Sequence, residues 1–278
     1  MASPVVIITG CSSGIGKALC QAFHRRGCRV VATARRLEAM DDLEAQGMLT
    51  LPLDVTDSAA MKSVVDTVLA QVGRIDILVN NAGFGQFGPL MDLSAAQLQA
   101  QFHTNVLAPF ELVQQVAPAM KEQRSGTIVN IGSISGFVTT PFAGAYSASK
   151  AALHSLSEAL RMELAPFGIH MVIVKPGAIQ SNFGQAAVQE LTGVLSPDSW
   201  YAPLESMIQA RANLSQSNAT PAHDFAEQLV AAVMRPHPPM TVRLGKKSRW
   251  LPLLKQLLPP KLMDFLLKRQ FGLTQMPR

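Results

Sequence analysis

A short apolar run, Val5-Val6-Ile7-Ile8, leads directly into Thr9-Gly10-Cys11-Ser12-Ser13-Gly14-Ile15-Gly16, and this junction limits the fold more than any other stretch. Four consecutive aliphatic residues fit a parallel strand buried on both faces. The glycines predict a tight turn. The residues from Lys17 to about Arg26 predict a helix, which Gly27 ends. Strand, glycine turn and helix in that order make a phosphate cradle, because the N–H groups at a helix start are free and no side chain holds an anion away. The spacing is G-x-x-x-G-x-G, which differs from the G-x-G-x-x-G dinucleotide fingerprint.

The same alternation continues along the chain. Arg29 to Ala34 predicts a second strand, Leu49 to Leu53 a third, Ile75 to Val79 a fourth, Thr127 to Ile131 a fifth and Met171 to Val174 a sixth. A helical stretch from about Ser94 to Lys121 carries Asn105, a residue usually exposed in mid-helix. A further helix runs to about Pro166, and Asp57-Ser58 caps the one after strand three. Six strand–helix alternations without a Pro/Ser-rich linker predict an α/β fold, a doubly wound parallel sheet in one domain from Met1 to about residue 240.

The strand ends carry the chemistry. Asn81, Ala82 and Gly83 are small and let a ligand approach the backbone after strand four. Asp54 and Val55 follow strand three, where a carboxylate faces the ligand crevice and can accept from an adenine amino group. A protein that binds NAD usually places an acid after strand two to hold the ribose 2′-hydroxyl. Here Ala34 is followed by Arg35 and Arg36, so no acid repels a 2′-phosphate and a guanidinium can bind one. Ser12 adds a hydroxyl. The reading is a preference for NADP(H).

Tyr146 and Lys150 lie four residues apart, on one face of a helix. A phenol with a pKa near 10 is a weak acid–base catalyst at neutral pH, and a nearby cation lowers that value. Ser133 lies thirteen residues before the tyrosine, just past strand five.

These motifs together resemble the short-chain dehydrogenase/reductase family, over roughly residues 4 to 240. The resemblance implies a Rossmann-type sheet. It gives Gly10, Ser13, Gly14, Ile15 and Gly16 to the pyrophosphate loop, Asp54 and Val55 to the adenine, and Asn81 to Gly83 to the adenosine side. Ser133 would hold the substrate oxygen and Tyr146 would exchange the proton. Lys150 would bind the nicotinamide ribose and lower the tyrosine pKa. Asn105 would position a water in a proton relay, and Pro176, Gly177, Ile179 and Ser181 would contact the nicotinamide. The reaction implied is hydride transfer between nicotinamide and a carbonyl or alcohol carbon. The Thr9–Gly16 loop and the Thr33-Ala34-Arg35 segment look most like the 17β-hydroxysteroid dehydrogenase, retinol dehydrogenase and acyl-dihydroxyacetone-phosphate reductase members. Phe84, Phe87, Phe137, Phe142, Phe183, Trp200, Tyr201 and Met207 are expected on the substrate side, with 180–216 an irregular lid, so the substrate is read as apolar: steroid-, retinoid- or lipid-like. A second class of function, an NADP sensor without turnover or a membrane-associated regulator, would have no use for a proton donor.

Charge and cysteine usage narrow the partners. The net charge of +5 comes from residues 240–278, which carry nine Lys/Arg against Asp264 alone. The body shows no recognition-helix or zinc-finger spacing, so nucleic acid is not expected as a partner. Cys11, Cys20 and Cys28 lack C-x-x-C spacing and fit a reducing, cytoplasmic setting. The dispersed histidines form no metal spacing, so no metal is expected. Val5 leads straight into the glycine loop, so no signal peptide is expected, and no apolar run reaches membrane-spanning length. Residues 241–278 form a basic, amphipathic C-terminal extension, expected as two short helices split by Pro259-Pro260. It fits three placements: in a membrane interface, over the substrate pocket, or against a second subunit. Family members often form dimers or tetramers through the helices after strands four and five.

Overall fold

The computed structural model describes residues 3–276. In chain order the elements are β1 (Val5–Thr9), α1 (Gly14–Arg25), β2 (Arg29–Ala34), α2 (Asp41–Glu44), β3 (Leu49–Pro52), α3 (Ser58–Val72) and β4 (Ile77–Asn80). Then come α4 (Ala95–Phe102), α5 (Ala108–Glu122), β5 (Gly126–Ile131), α6 (Gly144–Leu164), β6 (Ile169–Val174), α7 (Phe183–Gln189) and α8 (Glu205–Asn213). The last are α9 (Ala222–Val233), β7 (Thr241–Val242), α10 (Trp250–Leu257) and α11 (Pro260–Gln270).

The strands form one parallel sheet in the order β3-β2-β1-β4-β5-β6-β7. Period-two alternation decides which face each side chain feeds. Val6 and Ile8 pack with Leu19 and Phe23 of α1 and with Phe225 and Leu229 of α9. Val5 and Ile7 point the other way, into Met61 and Val64 of α3 and Leu112 and Val116 of α5. All five β1 residues are buried, which is why this strand reads as a continuous apolar run rather than an alternating one. The pairing Val5↔Arg29 through Thr9↔Thr33 sets the register with β2, and Val6↔Ile77 through Ile8↔Val79 sets it with β4. Strand order reverses at β1/β4, and a ligand crevice forms outside the strand C-termini at such a point.

The sheet has a seventh strand where six were expected. β7 is only two residues long, too short to show periodicity, and it pairs in parallel with β6 as Ile173↔Thr241 and Val174↔Val242. It lies just past residue 240, so the sheet takes in the first residues of the stretch read as an extension. The expected single helix from Ser94 to Lys121 is two helices, α4 and α5, joined by a π turn over His103–Leu107. Residues 180–216 are not an irregular lid: α7 and α8 lie within them.

A third apolar cluster sits beyond the strand ends. Phe87, Phe142 and Tyr146 meet Leu204 and Ile208 of the lid segment and Phe271, which follows α11. Phe271 is only 5% exposed, so the extension is anchored on this cluster. Burying a side chain of that size contributes about 2–3 kcal/mol.

Candidate active site

One cavity of about 920 Å³ runs across the C-terminal ends of the strands. Every residue expected at the site lines it except Asn105.

At one end lies the glycine loop. Gly14 has φ +55°, a left-handed conformation, and a Cβ there would also come within 2.9 Å of Ser181 Cβ. The Pro176–Ser181 turn therefore crosses directly over the loop. A Cβ on Gly16 would collide with the Gly10 carbonyl oxygen and lie 2.6 Å from Asn81 Nδ2. Small residues here are a packing requirement. Ser13 caps α1 with an extended backbone and no side-chain cap bond, which leaves the first helical N–H groups to the cavity. The first turn of α1 holds no acid, so its positive dipole end faces the lining unopposed. This cradle fits a dinucleotide pyrophosphate.

The asparagine motif is tied to that loop. Asn81 Nδ2 donates to the carbonyls of Thr9 (2.8 Å) and Gly10 (3.1 Å). Thr9 Oγ1 accepts from the N–H groups of Asn81 (3.0 Å) and Ala82 (2.9 Å). Thr9 was not singled out in the sequence, although it precedes the first glycine. Beyond β3, Asp54 Oδ1 accepts from Thr56 N (2.9 Å) and Thr56 Oγ1 (2.7 Å). These bonds, with a weaker pull from Arg35, hold the carboxyl below its usual range. Arg35 is exposed at the end of β2 and lines the same cavity.

At the other end Ser133, Tyr146 and Lys150 converge. Tyr146 is 8% exposed. Its ring stacks on Phe87 at 5.6 Å and meets Phe183 at 5.4 Å. Burial raises the phenol pKa, while the neighbouring Ser133 hydroxyl and the charge of Arg211 pull it down by less. Lys150 Nζ donates to the Ile131 carbonyl at 2.8 Å and lies 6.0 Å from the centre of the Tyr146 ring. Burial depresses the lysine to about 8. The charge of Arg211 acts on the phenol as well, while Lys150 stands beside the ring on the same helix face.

Asn105 stands behind this wall, fully buried rather than exposed. Its Oδ1 accepts from Phe84 N (3.2 Å), and its Nδ2 donates to Phe84 O (3.0 Å) and Ser149 Oγ (3.2 Å). The π turn rotates Asn105 inward, as such insertions often do beside functional sites. Its amide is thus committed to holding the loop after Gly83. A Cβ on Gly83 would lie 2.9 Å from Asn105 Oδ1 and 3.7 Å from Lys150 Nζ, which brings the three together.

The family model for short chain dehydrogenases matches residues 4–192. The chain belongs to the short-chain dehydrogenase family. Its relatives include the short-chain dehydrogenase ptmH of Penicillium ochrochloron, 37% identical over 97% of this chain and 98% of that protein. A 3-ketodihydrosphingosine reductase of Bacteroides thetaiotaomicron is 32% identical over 91% and 94%. Among solved structures, a short-chain dehydrogenase of Streptomyces avermitilis superposes with a TM-score of 0.81 at 33% identity, covering 99% of this chain and 98% of that one. A metagenomic short-chain oxidoreductase in complex with NADP gives 0.61 at 34% identity, covering 72% and 94%. A short-chain dehydrogenase/reductase of Burkholderia phymatum in complex with NAD gives 0.77 at 25% identity, covering 95% and 95%. This short-chain dehydrogenase is an oxidoreductase of a family that works with a nicotinamide nucleotide.

Three further groups shape the site of this family member. His154, on α6, accepts from Ser133 N at 3.4 Å through Nε2, and burial holds it near pKa 3. A neutral ring is what an accepting nitrogen requires. Gln216 ties down the Pro176–Ser181 turn: its Oε1 accepts from Ser181 N at 2.9 Å. The third is Arg211, on α8. It is buried with Ile208 and Ala212 on one face of that helix, and no local sequence pattern marks it. Of the aromatic and apolar residues expected on the substrate side, Phe84, Phe87 and Phe183 line the cavity. Phe142 and Tyr201 pack in the cluster behind it. Trp200 is 72% exposed, and Phe137 and Met207 also face out.

The cover over the cavity comes from the extension. Leu251 and Leu254 of α10 and Met263 and Leu267 of α11 line it from above. Among the described residues, no helix is long and apolar enough to cross a membrane, and no group of three or more His, Cys, Asp or Glu is placed to hold a metal.

Proposed function

We propose that the protein is an NADP(H)-dependent oxidoreductase that interconverts a carbonyl and an alcohol on an apolar, steroid-, retinoid- or lipid-like compound. One observation carries the reading: Ser133, Tyr146 and Lys150 share a single cavity with a glycine cradle and with Arg35. When bound, the nicotinamide supplies or takes the hydride. Tyr146 gives its proton to the carbonyl oxygen in reduction and takes one back in oxidation. Ser133 donates a hydrogen bond to the same oxygen, where negative charge develops. Lys150 Nζ, anchored on the Ile131 carbonyl, reaches the ribose hydroxyls, and Asn105 keeps the Phe84 loop against Gly83. Gly10 to Gly16 take the pyrophosphate, Asp54 and Val55 the adenine, Asn81 to Gly83 the adenosine side, and Pro176 to Ser181 the nicotinamide. Arg35 takes the 2′-phosphate, with no acid at the end of β2 to oppose it. The aliphatic cover and the phenylalanine wall support an apolar substrate, and a relative whose name places a ketone in its substrate supports carbonyl chemistry.

The extension has a second face. Trp250, Leu253 and Leu257 of α10, and Leu262, Phe265 and Leu266 of α11, are between 43% and 70% exposed, with Lys261, Lys268 and Arg269 among them. Each helix thus turns one stripe to the cavity and another outward, and the outward stripe fits a peripheral seat on an anionic lipid surface. Exposed Leu107, which ends the π turn before α5, and Leu156 and Met162 of α6 support pairing of two copies through this face.

Fluorescence titration with NADPH and NADH, followed by turnover of apolar ketones by wild type and Tyr146→Phe, tests the core of this. Tighter NADPH binding is expected, together with a loss of about 10²- to 10⁴-fold in turnover without the phenol. Tyr146→Phe with unimpaired turnover removes the mechanism, and an NADP sensor would keep its output in that variant.

A further inference from the structure

Among the described residues, Arg211 is a charge without a counter-charge. It is 7% exposed and lines the cavity at the catalytic end. Its Nε donates to Thr140 Oγ1 at 2.7 Å, and among the described residues its two terminal nitrogens have no hydrogen-bond partner. Among the described residues no salt bridge forms to it either. Glu190, which lines the same cavity, is exposed, and the Tyr146 phenol, the titratable group that acts on the guanidinium, is neutral at pH 7 because burial raises its pKa. Two aromatic faces fix the plane of the group: Phe87 at 5.1 Å and Phe271 at 6.0 Å from Cζ. Phe87 also carries the Tyr146 ring on its face.

Burying a cation with one neutral hydrogen bond and two ring faces is costly unless an anion completes the shell. The aromatic contacts recover only about 0.5–2 kcal/mol each. Nε is already used, so the two terminal N–H groups present an end-on fork, the geometry that matches a carboxylate. The fork lies among apolar walls, and the proton donor packs on the same phenylalanine.

We propose that Arg211, oriented by Thr140, Phe87 and Phe271, binds a carboxylate on the substrate, so that the preferred substrate is an apolar carbonyl or hydroxy acid rather than a neutral ketone. This rests on the reading of the cavity as an oxidoreductase site and names the substrate class within it. Phe271 comes from the extension, so the anion site is completed only when α11 is seated. A neutral apolar ligand fills the aliphatic cover but leaves the guanidinium unpaired.

The test uses the full-length protein saturated with NADPH and two probes of equal chain length, decanoate and 1-decanol, each followed by isothermal titration calorimetry at pH 7.5. Wild type is expected to bind decanoate at least tenfold more tightly than 1-decanol. Arg211→Gln is expected to reduce that preference to within twofold, and Arg211→Lys, which keeps the charge but loses the planar fork, to hold an intermediate one. Equal or tighter binding of 1-decanol by wild type, or binding of neither probe, overturns the proposal whether or not the variants fold. Retention of the preference in Arg211→Gln overturns it as well. The NADPH saturation step reads out separately: failure there counts against the oxidoreductase reading, while normal NADPH binding with no carboxylate preference counts against Arg211 alone.

Discussion

Replacing Gly83 by alanine should expose how tightly the asparagine motif is keyed to the π turn. Gly83 is not among the glycines with positive φ, so alanine brings no backbone strain and by itself would stabilise by about 0.4–1 kcal/mol through the unfolded chain. The added Cβ would sit 2.9 Å from Asn105 Oδ1, inside ordinary contact. Asn105 cannot retreat freely, because it is fully buried and its amide is held by Phe84 N, Phe84 O and Ser149 Oγ. Overpacking a filled site costs about 1–3 kcal/mol, and each hydrogen bond bent in the retreat about 1 kcal/mol more. The net expectation is a loss of about 2–3 kcal/mol, or roughly 3–5 °C in Tm for a chain of this size. Urea denaturation of Gly83→Ala, Asn105→Ala and the double variant measures it. If the clash is the cause, the double variant should be no less stable than Asn105→Ala alone, within about 0.5 kcal/mol. A neutral Gly83→Ala, or single losses that simply add, would refute the reasoning.

Arg35→Glu should weaken NADPH binding about 10- to 100-fold, the worth of a charge-assisted contact, and leave NADH binding unchanged or improved; equal loss of both in the fluorescence titration removes Arg35 from the 2′-phosphate. For His154, burial lowers the pKa from 6.5 to about 3, so between those values the unfolded chain binds more protons than the folded one. Stability is therefore full above pH 6.5 and falls as pH drops below it, by up to about 1.4 kcal/mol per pH unit. His154→Gln, which keeps an acceptor toward Ser133 N, should flatten this slope between pH 6.5 and 5, and parallel slopes for the two proteins would contradict the assignment. Leu257→Glu with Phe265→Glu should abolish co-sedimentation with anionic liposomes while leaving Tm within about 2 °C, since both side chains face out; liposome binding that survives the pair rules out the outward face as the membrane seat.

Local pattern determined much of this protein. β1, β2, the glycine turn, the Asp57 cap of α3 and the Tyr146/Lys150 face of α6 each depend on residues within a few positions of one another. A strand buried on both faces reads as continuously apolar, glycines at a helix start leave its N–H groups bare, and side chains four apart on a helix share a face. That is why the expected strands reappear within a residue or two at most ends, and why the cavity gathers the expected residues apart from Asn105. Other features depend on partners distant in sequence, and no local pattern announces them. β7 exists because β6 offers an open edge to two residues that would not form a strand alone. Asn105 turned inward because Phe84, twenty-one residues earlier, presents two backbone groups that need partners in a buried place. The extension fitted three placements, and packing chose the cover: Phe271 found the Phe87–Phe142 cluster, leaving its other stripe to the outside. Arg211 is the sharpest case. In the sequence it is one more basic residue on a short helix, and only the fold buries it beside Tyr146 without an acid, because burial and pairing are properties of the packed molecule and not of any stretch of chain.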